Sequence, residues 1–408
     1  MADARIICQQ AGRSGGSMDY TADEVMDYIQ EEGAKFIRLA FRDAYGIQKN
    51  ISVTPLEVQK AFERGAPVNV RKIAGFRDCP YAALYLKPDP QTLAILPWRS
   101  DGGKVLRMFC DICTPEGDPY MSDTRAVLKE AVKKAEEKGI EFRFGTETEF
   151  YLFLKDQEGN PTRIPYDQAG YMDIAPLDKC ENVRREITLT IERMGLTPER
   201  SHHEEGPGQN GIDFHYAKPL KAADQMTTFK MVVQTVADRY GLVADFSPMP
   251  LPGQPGNGYH INIYAADENG EDVGRFAAAG ILERIRDITI FLNPKEASYS
   301  RLGNNTAPDR VNWSDAGRSE LMYVESRYGR TRGELRSPDA WSNPYLVYAL
   351  LIHAGLSGIE RKLDLPEGSR DEMLLLPASR KEACRLAEES DFVKKNVPED
   401  LLREYTSC

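Results

Sequence analysis

The run Phe142-Arg-Phe-Gly-Thr-Glu-Thr-Glu-Phe-Tyr-Leu-Phe-Leu154 constrains the fold more than any other part of the chain. Successive side chains of a strand point to opposite faces. Phe142, Phe144, Phe150, Leu152 and Leu154 therefore share the core face, and Glu147 and Glu149 share the other. Two carboxylates side by side on one face repel each other. They are tolerable in water or over a divalent cation, and this segment alone leaves both readings open.

Three further segments carry chemistry on strand-like alternation. His202-His-Glu-Glu205 precedes a Gly-Pro-Gly loop and Gln209-Asn-Gly-Ile-Asp-Phe. In Tyr259-His-Ile-Asn-Ile-Tyr264, the side chains of His260, Asn262 and Tyr264 share one face, opposite Ile261 and Ile263. In Arg332-Gly-Glu-Leu-Arg336, Arg332, Glu334 and Arg336 line one face. A lone histidine on a strand is usually structural, and a lone Glu-x-Arg is usually a surface ion pair. Their joint occurrence is harder to dismiss. Carboxylates with an imidazole suit Mg²⁺ or Mn²⁺, and arginines between them suit phosphate.

Composition excludes several classes. The chain has 408 residues with 63 acidic against 52 basic side chains, a net charge of −11, and no concentrated basic face. It is a poor electrostatic match to nucleic acid or an anionic membrane. Seven scattered cysteines, including one lone Cys110-x-x-Cys113, do not read as a disulfide framework or a complete zinc site. The first residues lack the basic region and apolar run of a signal peptide. The longest uncharged stretch, 340–359, contains Asn343-Pro344, a helix-start pair, so a buried core helix is expected from Pro344 rather than a membrane span. A cytoplasmic, reducing setting is expected.

The order of elements suggests an α+β fold in two parts. A capping box at Thr21-Ala-Asp-Glu24 predicts a helix to about Glu32, ended by Gly33. Strand-like segments follow over 34–53, a helix from Thr54-Pro55, and strands over 81–112. The turn-rich residues 114–119 mark a boundary between residues 1–113 and 114–408. Beyond it, a charged helix is expected over 124–138 and strands over 141–154, 211–216, 259–265 and 334–337. Long polar loops join them at 155–170, 246–258 and 302–317, and a charge-rich helical stretch covers 380–404.

Taken in order, these motifs resemble the glutamine synthetase family, bacterial type, over the whole length. Phe41-Arg-Asp-Ala-Tyr-Gly-Ile-Gln-Lys49 is similar to the family's Phe-x-Asp-x-x-Gly-x-x-Lys turn. Gly145-Thr-Glu-Thr-Glu-Phe150, His202-His-Glu with Gly-Pro-Gly-Gln-Asn210, Ser298-Tyr-Ser-Arg-Leu302, Arg332-Gly-Glu-Leu-Arg-Ser-Pro-Asp339 and Asn343-Pro-Tyr match in the same way. The resemblance implies an N-terminal β-grasp domain and a larger catalytic domain, with an antiparallel sheet and flanking helices. It also implies a hexameric or dodecameric ring whose neighbouring subunits share each active site. The implied reaction is ATP-dependent amide formation with Mg²⁺ or Mn²⁺.

The resemblance assigns residues. One ion falls to Glu147, His260 and Glu334. The other falls to Glu149 and Glu204, with Gly211 where a third carboxylate is expected and Glu205 or Asp213 as possible substitutes. Arg318 and Arg336 match catalytic arginines, and Tyr171 matches a tyrosine of the ammonium pocket. Arg301, Gly256 and Arg336 fall at the amino-acid substrate, and Arg332, Tyr216 and Asn262 at the nucleotide. The departures gather around the second substrate. The ammonium-pocket aspartate becomes Asn69 and the flap glutamate Thr306. Elsewhere the glutamate-binding Asn-Gly pair reads Pro255-Gly256, a nucleotide-side arginine reads Tyr323, and a lysine reads Met249. Three readings follow: a ligase joining glutamate or a similar acid to an amine other than ammonia, plain glutamine synthesis, or a non-catalytic homologue that binds nucleotide or a partner.

Overall fold

The structure is a computed structural model that describes residues 20–98, 103–304, 307–317, 319–327, 329–366 and 374–407. Arg318 and Thr306 lie outside the described residues, as do Cys8, Cys408 and Asp101-Gly102.

The first part builds a six-stranded sheet. Helix α1 (Ala22–Glu31) starts on the expected capping box, with Thr21 and Glu24 each satisfying the other's backbone N–H. Strands β1 (Phe36–Arg42) and β2 (Gln48–Val53) form a hairpin, and α2 (Pro55–Arg64) follows with proline in its first turn. Strands β3 (Ala66–Val68), β4 (Leu84–Pro88), β5 (Ala94–Ile95) and β6 (Val105–Cys113) complete it. The order is β2-β1-β6-β4-β3, with β5 beside β6 and a parallel pairing between β1 and β6. The helices α1 and α2 cover it through Val25, Ile29, Val58 and Ala61, all buried.

The larger part is a nine-stranded sheet backed by helices. After α3 (Thr124–Glu136), the long strand β7 (Ile140–Lys155) runs through its centre, and β8 (Pro161–Pro165) pairs with its end. Helix α4 (Glu181–Arg193) leads to β9 (Pro198–His203) and β10 (Gln209–Ala217); α5 (Pro219–Arg239) leads to β11 (Leu242–Asp245) and β12 (Tyr259–Asp267). Helices α6 (Gly274–Leu292) and α7 (Glu296–Arg301) precede β13 (Trp313–Ser314), β14 (Met322–Arg327) and β15 (Arg330–Leu335). The chain closes with α8 (Pro344–Arg361), α9 (Arg380–Glu389), α10 (Asp391–Asn396) and α11 (Glu399–Thr406). The main path is β13-β14-β15-β12-β7-β10-β9. It is antiparallel except for β13 with β14.

The alternation in β7 holds. Phe142, Phe144, Phe150 and Leu152 are buried in the main core, with the Phe144 ring stacked on Tyr348 of α8. Helix α8 is a core helix, and among the described residues no helix is long and apolar enough to cross a membrane. Cys110 and Cys113 are buried free thiols. Two expectations are corrected. The loop at 155–170 contains β8. The stretch 380–404 is three helices, interrupted where Ser390 caps α10 through its hydroxyl and where Pro398 starts α11.

Candidate active site

Strand register assembles the site. His260 of β12 lies opposite Glu147 of β7, and Asn262 lies opposite both Gly145 of β7 and Glu334 of β15. On the other side of β7, Asp213 faces Glu147, and Gly211 faces Glu149 and then His202 of β9. One face of the sheet thus gathers acid, imidazole and guanidinium groups from separated stretches of sequence.

Glu147, His260 and Glu334 each bring a ligand atom within 4.8 Å of the others. His260 Nδ1 is 3.1 Å from Glu147 Oε2. Glu334 is fully buried, and its two oxygens accept from Arg336 Nη1 at 2.6 Å and Arg332 Nη2 at 2.9 Å. Arg332 also donates Nε to Asn262 Oδ1 at 2.8 Å. Burial opposes the charge of Glu147, but the hydrogen bond and positive charge of His260, with His202 and Arg336 nearby, outweigh it and hold the carboxyl at about 2. Two carboxylates and one imidazole in a buried setting fit a hard divalent cation of the Mg²⁺ or Mn²⁺ kind.

Glu149 and Glu204 lie beside this group. Burial, and then the charge of Glu204, push the Glu149 carboxyl up to about 7. Its Oε2 accepts from Gly258 N at 2.8 Å and from Gln209 Nε2 at 3.0 Å. Glu204 Oε1 approaches His202 Nε2 at 2.7 Å. The Tyr171 ring is exposed and stands edge-on to the His202 ring, with centroids 5.6 Å apart. Glu205 is exposed, and Asp213 is engaged with Arg200, so neither fills the gap at Gly211.

Arg301 is buried beneath the 256–258 loop. It donates Nη1 to Ser337 O at 2.8 Å and Nη2 to Arg336 O at 3.1 Å. A side chain at Gly256 would meet Pro248 O at 2.4 Å and Arg301 Cγ at 3.0 Å, so only glycine fits over that arginine. Tyr216 is half-exposed and passes close to Gly145. Asn69 sits in the smaller domain, where its Oδ1 accepts from Arg71 N at 3.2 Å.

Sequence reasoning gave no role to His202 or Gln209. The signal for His202 was present in His202-His-Glu-Glu205, but parity alone does not say which histidine faces the acids. Register decides it: His202 turns to the site, and His203 turns away to Asp167 at 2.9 Å.

Residues 33–115 match the family model described as the β-Grasp domain of glutamine synthetase, and residues 121–408 match that of its catalytic domain. A glutamine synthetase of Clostridium saccharobutylicum is 38% identical over 415 aligned residues, covering 95% of this chain and 94% of its own. One from Methanosarcina mazei is 38% identical, covering 94% of this chain and 92% of its own. Among solved structures, a GmaS/ADP complex (conformation 1) superposes with a TM-score of 0.84 at 25% identity, covering 93% of each chain. GmaS without ligand gives the same score and identity over 94% of this chain and 93% of its own. The chain belongs to the glutamine synthetase family, and with it to the ATP-dependent ligases.

Proposed function

We propose that this ligase activates glutamate or a similar acid as an acyl phosphate and joins it to an amine other than ammonia. The observation that carries the acceptor choice is Asn69. An ammonium pocket needs carboxylate to attract NH₄⁺ and to take its proton, and an amide side chain supplies neither. By the resemblance, the other carboxylate position of that pocket falls on residue 306, which is a threonine in this sequence.

In this reading Glu147, His260 and Glu334 hold one divalent cation, Mg²⁺ or Mn²⁺. When bound, that ion would neutralise phosphate oxygens as charge passes from ATP to the acid. Arg336 and Arg332, fixed by their bonds to Glu334, present positive charge to the transferring phosphoryl group. Arg318 joins them in the catalytic set. Tyr216, Asn262 and Arg332 line the nucleotide side; the ADP in the name of the related GmaS complex supports an adenine nucleotide as a ligand. Arg301 and Gly256 shape the acid's end, and Tyr171 borders the acceptor.

Neighbouring subunits of a ring share this site. Ile164, Met172, Ile174 and Leu177 are exposed, as Tyr171 is, and such a neighbour would cover apolar side chains of this kind. Plain glutamine synthesis is the second reading, favoured by the names of the relatives at 38% identity. Phosphate release from ATP, glutamate and Mn²⁺ should be recorded with ammonia and with a panel of primary amines. At least one amine should give a higher kcat/KM than ammonia. Ammonia matching or exceeding every amine would establish the second reading.

A further inference from the structure

We propose that the cavity between the two domains binds a small anion of the phosphate class, held by Arg107, Lys218 and Lys221.

The cavity has a volume of about 700 Å³, the size of a small-molecule site. Arg107 and Phe109 of β6 line it from the smaller domain. Lys218, Lys221 and Gln225 line it from the larger domain, where α5 begins.

The positive charge of Arg107 has little to balance it. The side chain is only 3% exposed, and its guanidinium lies 3.7 Å from the centroid of the Phe109 ring. Arg42, a second cation, lies 4.1 Å from the same centroid. Arg107 Nη2 donates to Thr228 Oγ1 at 3.2 Å, a neutral acceptor, while Nε and Nη1 have no hydrogen-bond partner. Gln225 is also buried, and its Nε2 is unpartnered. Asp89 and Asp224 line the cavity too, but Arg125 takes both, at 2.6 and 3.2 Å. Burial, and then the charge of Arg42, pull Arg107 down from 12.5 to about 9, as expected of a cation short of counter-charge. Unpartnered buried donors are costly, and an anion in the cavity would satisfy them.

The start of α5 adds to the excess. This helix is 21 residues long and begins with no side-chain cap and no acid in its first turn. Lys218 and Lys221 stand there instead, exposed and without ion pairs among the described residues. The positive end of a helix dipole favours anions and disfavours lysine, and backbone N–H groups at a helix start bind phosphate. Three cationic side chains suit the several oxygens of a phosphate group better than the two of a carboxylate. Tyr216 lines both this cavity and the nucleotide side proposed above, so a test must separate the two places.

The full chain, freed of divalent cations, should be titrated by calorimetry with inorganic phosphate and, in parallel, with glycerol 3-phosphate. The wild type should bind phosphate. The double variant Lys218→Ala/Lys221→Ala should weaken that binding at least about tenfold. Arg107→Gln should do the same where circular dichroism shows the fold intact; the exposed lysines decide the matter if it misfolds. Lys394→Ala/Lys395→Ala, which removes as much charge from α10, should leave phosphate binding unchanged, as should Arg332→Ala on the nucleotide side. Tighter binding of glycerol 3-phosphate would give the ligand an organic body and weaker binding would make it free phosphate; both support the site. No binding by the wild type, an unchanged affinity in Lys218→Ala/Lys221→Ala, or an equal loss in the two lysine pairs would overturn the inference. Loss in Arg332→Ala would also overturn it and move the phosphate to the nucleotide side.

Discussion

At the scale of single residues, the site depends on acids whose charge is balanced by fixed partners. Glu334 is the clearest case, fully buried between Arg332 and Arg336. Removing one partner of a buried pair leaves the other charges uncompensated. Glu334→Ala should therefore lower kcat by at least about a hundredfold with the fold retained, since it removes a cation ligand and frees both arginines. Steady-state kinetics with circular dichroism checks this, and an unchanged rate would show that the chemistry lies elsewhere. That Glu147, His260 and Glu334 each sit on the polar parity of a strand was legible in the sequence; that the three come together was what the resemblance to the glutamine synthetase family implied. The place of His202 was not legible. It depends on β9 pairing with β10 in one register.

At the scale of elements, turn and cap chemistry decides where helices begin. Asn343 caps α8 by accepting from Tyr345 N, and its amide donates to Ala44 O at 2.9 Å and Thr124 Oγ1 at 3.1 Å. One side chain thus starts the core helix and ties it to α3 and to the turn after β1. Asn343→Ala should cost about 1–3 kcal/mol, the sum of a lost cap and unsatisfied buried groups. A fall in the denaturation midpoint at constant slope would register it. The sequence announced this helix through Asn343-Pro344. It hid β8, because that strand pairs with β7 while its own side chains stay largely exposed, so no apolar alternation marks it. It also hid the break at Ser390, whose hydroxyl both caps α10 and donates to Asp287 Oδ2 of α6 at 2.8 Å; that second contact is tertiary.

At the scale of the molecule, buried polar contacts join the two domains. Arg125 of α3 is buried and reaches Asp89 at 2.6 Å, Asp224 of α5 at 3.2 Å, and Asp111 of β6. The sequence showed these charges but not their meeting, since the partners lie far apart along the chain. Stability of the whole chain should also carry a histidine signature. His353 of α8 is half-buried; burial, then the charges of Lys134 and Lys395, lower its value from 6.5 to about 4. The folded state therefore prefers neutral His353. Its stability is complete above about 6.5 and is lost as pH falls toward about 4, because the unfolded chain takes up the proton first. His353→Leu should flatten the pH dependence of unfolding free energy across that window, and an unaltered slope would assign the dependence to other groups.

The central claim is that two carboxylates and one imidazole, from three separate strands, cage a divalent cation beside the phosphates. Anomalous diffraction from a crystal grown with Mn²⁺ and a non-hydrolysable ATP analogue tests it most directly. The account predicts a manganese peak at about 2.0–2.3 Å from Glu147, His260 and Glu334 together. Manganese bound elsewhere on the chain, with those three side chains touching only one another and the arginines, would contradict it.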